Sequence, residues 1–208
     1  MKILVATRSE GKQRELRRLF AAAGYEAVFP SDAGVAWSGD EEQLEVSDSF
    51  ETNARMKAEY FAQKTSLPTV ADDSGLEVIA LGGQPGARSK RWAGVTGPPT
   101  EVDAANNAEL LRRLAGLAEG KRRARYRCVL AYLPRRSAPP QIFQGICNGS
   151  ILVQPTGNGG FGYDPLFLSD DLGKSFGEAD QNEKDAVSHR GRAFRAFLGT
   201  LRQGVAPR

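Results

Sequence analysis

The chain of 208 residues carries 28 Lys and Arg against 25 Asp and Glu, a formal net charge of +3, and is 40% hydrophobic and 25% charged. This is globular composition at the length of one domain or two small ones, and it excludes a disordered chain. One histidine and two cysteines exclude a disulfide framework and any multi-histidine zinc hydrolase, while the mild charge permits an anionic ligand without requiring nucleic acid.

Ile3 to Ala6 is a short apolar run that predicts a buried strand. Leu16, Leu19, Phe20 and Ala23 then recur at i, i+3, i+4 and i+7, one face of a helix, and Gly24 ends it. Tyr25 to Phe29 reads as a second strand, and the polar, acidic stretch 30–47 as a loop. Asp48 and Glu51 resemble a capping box ahead of a helix whose apolar stripe is Phe50, Ala54, Ala58, Phe61 and Ala62. Thr69 to Ala71 is a third strand, with Asp72-Asp73-Ser74-Gly75 at its C-terminal end. Residues 82–99, rich in glycine and proline, predict a long loop of the functional or mobile kind. Thr100 and Asp103 signal the start of a third helix, with Val102, Leu110, Leu111 and Leu114 inward. Arg125 to Leu133 is a strand, and Gln141 to Val153 one or two more, broken near Asn148-Gly149. A glycine-rich loop follows over 155–165, and a last helix begins near Ser188 with Ala193, Phe194, Phe197, Leu198 and Leu201 on its apolar face. The alternation predicts a single α/β domain over 1–208 with a mixed sheet. The longest apolar run, Cys128 to Leu133, is far short of the about 20 residues of a membrane span. The N-terminal apolar run is too short for a signal peptide. A cytoplasmic protein with no membrane partner is therefore expected.

Several segments carry residues suited to chemistry, each with a plainer alternative. Gly11-Lys12 opens a helix, where unpaired N–H groups and a lysine suit a phosphate; alternatively Lys12 is a solvated surface residue. Asp72-Asp73 offers hard oxygen ligands for Mg²⁺, or an Asx-type turn before Gly75. Asp40-Glu41-Glu42 and Glu45 add acidic residues that could supply a further ligand or simply be solvated. Gly157 to Pro165 combines a sharply bending backbone with Phe161, Tyr163 and Asp164, offering a stacking face for a base, or a hairpin with its aromatics folded inward. Lys184 with Ser188-His189-Arg190-Gly191 gathers cations at a helix start, as phosphate or carbonyl donors or as a solvated cap. Basic clusters at 121–127 and 135–136 could be a nucleic-acid footprint, and are more often solvated faces.

Together these stretches resemble the inosine/xanthosine triphosphate pyrophosphatase family. The matching residues are Leu4-Val5-Ala6-Thr7 with Gly11-Lys12, Asn53-Ala54 with Lys57-Ala58, Ala71 to Leu76, Arg91 to Gly94, Gly159 to Pro165 and Ser188 to Gly191. They keep the family's order over nearly the whole chain. The resemblance implies a central mixed β-sheet flanked by helices, two lobes with a cleft between them, a homodimer and Mg²⁺ dependence. It implies hydrolysis of dITP, ITP and XTP to the monophosphate and pyrophosphate. Carried onto this sequence, Asp73 is the catalytic base and, with Glu45, a metal ligand. Thr7, Gly11, Lys12, Ser74 and Lys184 bind phosphates; Phe161 stacks on the base; Gly162, Tyr163, Asp164, His189 and Arg190 line the base and sugar pocket. There are two departures from the family: Arg8-Ser9 stands for Gly-Asn, and Thr52 for a Glu. Rival readings are a pyrophosphatase of other modified nucleotides, and a non-catalytic nucleotide- or RNA-binding module. The acidic Asp72-Asp73 pair disfavours a bare polyanion.

Overall fold

The computed structural model describes residues 1–203. In chain order the elements are β1 (Lys2–Val5), α1 (Glu10–Ala22), β2 (Glu26–Val28), α2 (Phe50–Lys64), β3 (Thr69–Val78), α3 (Pro99–Arg113), β4 (Arg123–Leu133), β5 (Gln141–Ile151), β6 (Phe167–Ser169), α4 (Gln181–Val187) and α5 (His189–Gln203). The strands form one mixed sheet in the order β2-β1-β3-β4-β5-β6. β1 pairs parallel with β2 and β3, and β5 pairs antiparallel with β6. By packing, the chain falls into two compact units: 1–73, 128–145 and 191–203 form the first, and 74–127 with 146–190 the second.

In the first unit the strands are apolar on both faces, and the period-2 alternation sorts their side chains into two cores. Ile3, Val5, Val70, Leu130 and Tyr132 pack with Leu16 and Phe20 of α1 and with Ala193, Phe194, Phe197 and Leu198 of α5. Their neighbours Leu4, Ala6, Ala71, Ala131 and Leu133 pack on the opposite face with Ala54, Ala58, Phe61 and Ala62 of α2. The second unit has its own core, where Leu110 and Leu114 meet Leu76, Val78, Tyr126, Cys147, Phe167 and Phe176.

The structure corrects several sequence expectations. The third strand does not stop at Ala71; β3 runs on to Val78, so Asp72 and Asp73 lie within it. The Asp48–Glu51 cap is replaced by Ser49, whose hydroxyl accepts from the Thr52 N–H. The loop 30–47 contains a 3₁₀ segment, Gly39–Glu45, with a capping box between Ser38 and Glu41. β5 is unbroken through Asn148-Gly149. A Cβ at Gly149 would overlap the Leu168 carbonyl and the Phe167 ring, so this glycine serves the close approach of β6 and not a turn. The last helix is split, α4 ending at Val187 and α5 starting at His189 with Ser188 between them. Among the described residues no helix is long and apolar enough to cross a membrane.

Candidate active site

The first unit assembles a group of alternating charge around β3. Because Asp72 has the parity of Val70 and Asp73 that of Ala71, the two carboxylates leave opposite faces of the strand. Both are almost fully buried, and burying an uncompensated carboxylate is expensive. On the α1 face, Lys12 reaches Asp72 Oδ2 at 2.8 Å, and the Cys128 thiol lies 4.0 Å from the same atom. On the α2 face, Asn53 Nδ2 donates to Asp73 Oδ2 at 2.8 Å. The Lys57 ammonium there donates to Glu45 Oε1 and to the Asp72 carbonyl, both at 2.5 Å, and lies 3.7 Å from Asp73 Oδ1.

The electrostatics follow from this packing. Burial pushes the Asp73 carboxyl above the usual range, and Lys57 and Lys12 pull it part of the way back. Burial alone would lower Lys57, but Glu45, Asp73 and Asp72 outweigh it and hold the ammonium above the ordinary lysine value. Thr7 lies just ahead of α1, and Gly11 in its first turn. The Thr7 hydroxyl oxygen accepts from the Ser9 N–H at 3.2 Å, and Gln13 Nε2 donates to the Thr7 carbonyl. Arg8 does not enlarge the cationic cluster. Its guanidinium forms a two-point pair with Glu41, Nε to Oε2 at 3.0 Å and Nη2 to Oε1 at 2.8 Å. Nη2 also donates to the carbonyls of Val35 and Ala36. Arg8 thereby ties the first loop to the segment whose last residue is Glu45.

The donor set fits a hard divalent cation. The Lys57 ammonium touches Glu45 and lies 3.7 Å from Asp73 Oδ1, so these two carboxylates flank one cation in the structure. Among the described residues no cluster of three or more His, Cys, Asp or Glu forms a metal cage. Two carboxylates are the expected protein share for Mg²⁺, which keeps several waters and takes oxygen from substrate phosphates.

The second unit gathers the other predicted residues. Lys184 Nζ donates to Asp164 Oδ2 at 2.6 Å in a pair buried on both sides. It also sits 4.8 Å from the Phe161 ring centroid, and the Arg190 guanidinium carbon is 5.8 Å from the same centroid. Asp164 Oδ2 accepts from the Phe161 N–H as well, and the Tyr163 hydroxyl donates to the Ser89 carbonyl at 2.8 Å. His189 stacks on Tyr126 with ring centroids 4.6 Å apart and planes 8° from parallel. Arg190 Nη2 donates to Ser74 Oγ at 2.9 Å. Lys184 and Ser74, which the resemblance assigns to phosphates, thus stand in the same unit as the residues assigned to the base.

The bend of the glycine-rich loop depends on close backbone approach. A Cβ at Gly157 would overlap the carbonyl group of Gly177, and one at Gly160 would overlap the Asp164 carboxylate. At Gly162, where φ is +63°, a Cβ would meet nothing. Three members of the basic clusters that raised a nucleic-acid reading form ion pairs, Arg123 with Asp170, and Arg125 and Arg127 with Glu77.

The sequence reading gave no role to Asn53 and Lys57, which the structure puts against Asp73. The signal was present: both lie on the same helical face as Phe50, Ala54 and Phe61, and a polar pair at i, i+4 on a buried stripe needs a buried partner.

Residues 3–200 match the model of the Ham1 family. A dITP/XTP pyrophosphatase of Yersinia pseudotuberculosis is 44% identical over 202 residues, 97% of this chain and 98% of that one. Another protein of that name, from Frankia alni, is 43% identical over 204 residues, 98% of each chain. Among solved structures, a HAM1 protein from Coxiella burnetii superposes with a TM-score of 0.83 at 32% identity, covering 98% of this chain and 99% of that one. A nucleoside-triphosphatase / dITP/XTP pyrophosphatase from Mycobacterium abscessus gives 0.72 at 40% identity, over 95% and 99%. With the family model and full-length relatives agreeing, the chain belongs to the Ham1 family.

Proposed function

We propose that this chain is a nucleoside-triphosphate diphosphatase that hydrolyses dITP, ITP and XTP to the nucleoside monophosphate and pyrophosphate. The observation that carries the reading is the buried Asp73, held by Asn53 and Lys57 beside Glu45. Its support is the name borne by relatives that match along the whole chain. The two units would act as one catalytic domain, in a homodimer within the cytoplasm.

In this reading residues near the head of α1 take the phosphates, and residues of the glycine-rich loop and the start of α5 take the base. Lys12 and the N-terminal amides of α1, with Thr7 and Gly11, offset phosphate charge. Lys184 and Ser74 are the other two residues proposed to bind phosphates. Glu45 and Asp73 would hold Mg²⁺, which offsets charge on the phosphate oxygens and lowers the pKa of bound water. Asp73, raised by burial, accepts a proton from the attacking water at a carboxylate oxygen, while Asn53 fixes the carboxylate plane. Attack at the α-phosphorus releases pyrophosphate, and most of the acceleration comes from positioning and electrostatics.

Phe161 stacks on the purine, and Gly162, Tyr163, Asp164, His189 and Arg190 surround it. Hypoxanthine and xanthine carry an acceptor oxygen at carbon 6, where adenine carries an amino donor. A donor such as Arg190 or His189 would be left unpaired by ATP, and mismatches of this kind give rejection of about 10⁴–10⁵-fold.

Pyrophosphate release from ITP, XTP, dITP, GTP, ATP and dTTP, with Mg²⁺ and with chelator, tests the reading. Release from ITP and XTP that needs the metal and is lost in a folded Asp73→Asn variant is expected. Turnover of parental size in that variant would overturn the assignment, and binding of RNA without any turnover would favour a non-catalytic module.

A further inference from the structure

The start of α3 holds a side chain that the helix itself does not use. The spacing of Thr100 and Asp103 predicts a cap, yet α3 begins at Pro99 with no side-chain cap bond. The Asp103 carboxylate instead accepts the Gly162 N–H at 2.7 Å through Oδ2. One turn further on, at i+4, Asn107 Nδ2 donates to the Gly162 carbonyl at 2.9 Å. The two side chains share a helix face, and together they grip one residue of the glycine-rich loop by both its backbone groups.

That residue is the pivot of the segment. Gly162 sits at φ +63° with nothing near the position of a Cβ, so no side-chain packing holds it there. Glycine is the residue with most backbone freedom to lose. Its neighbours are fixed by other groups: the Phe161 N–H by Asp164, and the Tyr163 hydroxyl by Ser89. Asn107 Oδ1 is buried without a hydrogen-bond partner, so Asn107 makes its bond to Gly162 at the expense of its own satisfaction. α3 is itself a firm base. Leu110 is fully buried in the core of this unit, and Asn106 bonds the Ala93 N–H and the Lys90 carbonyl.

We propose that Asp103 and Asn107 are positioning residues for base selection, clamping Gly162 so that the Phe161 ring is presented to the purine in one pose. This rests on the reading of Phe161 as the stacking ring. The residues touch no reacting atom and act through Gly162. Losing the clamp lets the Phe161 ring move relative to Lys184 and Arg190, so the cost falls on recognition of the base and not on the chemistry at phosphorus.

Two near-isosteric substitutions give opposite expectations. Asp103→Asn keeps a carbonyl oxygen for the Gly162 N–H and should leave the ratio of kcat/KM for ITP over ATP within about threefold of the parent, while Asn107→Asp sets a carboxylate against the Gly162 carbonyl and should cut that ratio by about tenfold or more. In Asn107→Asp the loss should appear in KM for ITP, with kcat at saturation within about threefold. Hydrogen exchange should show faster exchange at Gly162 and Tyr163 in Asn107→Asp and parental exchange in Asp103→Asn. Phe161→Ala serves as the control. If Phe161→Ala leaves the ratio unchanged, the stacking reading fails and the clamp has no role in selection. If Phe161→Ala lowers the ratio but Asn107→Asp does not, the clamp proposal alone is overturned. A fall in kcat with no change of ratio or of exchange in 161–163 would likewise overturn it.

Discussion

Lys57→Met keeps the length of the buried stem and removes the one charge that faces Glu45, the Asp72 carbonyl and Asp73. At the 3.7 Å separation from Asp73 and an effective dielectric constant near 20, the Coulomb attraction to that carboxylate alone is about 4 kcal/mol. Removing one partner of a buried pair costs about 3–5 kcal/mol, because a desolvated charge is left behind. For a chain of this length that corresponds to a melting temperature lower by about 6–20 °C. The sign of the pH dependence is fixed. Burial already raises the folded-state pKa of Asp73 above its unfolded value, so this group favours folding at low pH and the benefit is lost as pH rises through the folded pKa. Without Lys57 the charged carboxylate is worse placed, so the deficit should be larger at pH 8 than at pH 5. The assay is thermal unfolding of parent and variant in chelator across that range, with turnover measured in Mg²⁺. A variant melting within about 2 °C of the parent at pH 8 would refute the idea that Lys57 offsets the two carboxylates.

Two further expectations concern other parts of the molecule. Arg8→Met breaks the two-point pair with Glu41 and the bonds to Val35 and Ala36; discounted for the 30% exposure of the arginine side chain, it should cost about 1–2 kcal/mol. Hydrogen exchange over 35–45 should speed up, and unchanged exchange would show that Arg8 does not hold this segment. Burial, aided by Asp164, pushes the Tyr126 hydroxyl upward, and burial aided by Asp103 does the same for Tyr163. Burial raises Tyr132 as well, so in an ultraviolet absorbance titration three of the five tyrosines should stay protonated past pH of about 10, Tyr126 and Tyr163 until the fold is lost. Tyr126 and Tyr163 each contribute stability that is fully present below the unfolded pKa and falls by about 1.4 kcal/mol per pH unit above it. Full tyrosine ionisation with an intact fold would contradict this.

The parts of the structure written in local patterns were legible in the sequence. The apolar stripe of α2 and the double-sided strands β1 and β4 follow from periodicity, and the stop of α1 from Gly24. What was not legible depended on partners distant in the chain. The apolar run Thr69 to Ala71 puts Asp72-Asp73 at a strand end in the sequence; in the structure β3 continues through them, where Lys12 and Lys57 meet them from two helices. Asp103 has the spacing of a cap from Thr100, and only the tertiary fold shows that it bonds Gly162. Asn148-Gly149 has the composition of a turn, yet the residue opposite, Phe167, decides its meaning. Arg8 illustrates the reverse: a charge in the loop ahead of α1, which in the sequence stands free, is paired with Glu41 in the structure.

The crowding beneath the glycine-rich loop divides its positions into two kinds for anyone wishing to retune substrate choice. At 157 and 160 any side chain would collide with neighbouring backbone or with Asp164, so a library that varies these codons mostly samples unfolded protein. Gly162 is different, since there only the left-handed backbone angle stands in the way, and Asn or Asp tolerates that angle best. Variation confined to 161 and 162 would sample base preference while leaving the scaffold of the loop intact. The same asymmetry leaves natural drift in substrate range a narrow route, through the side chains at the tip and not through the bends that carry it.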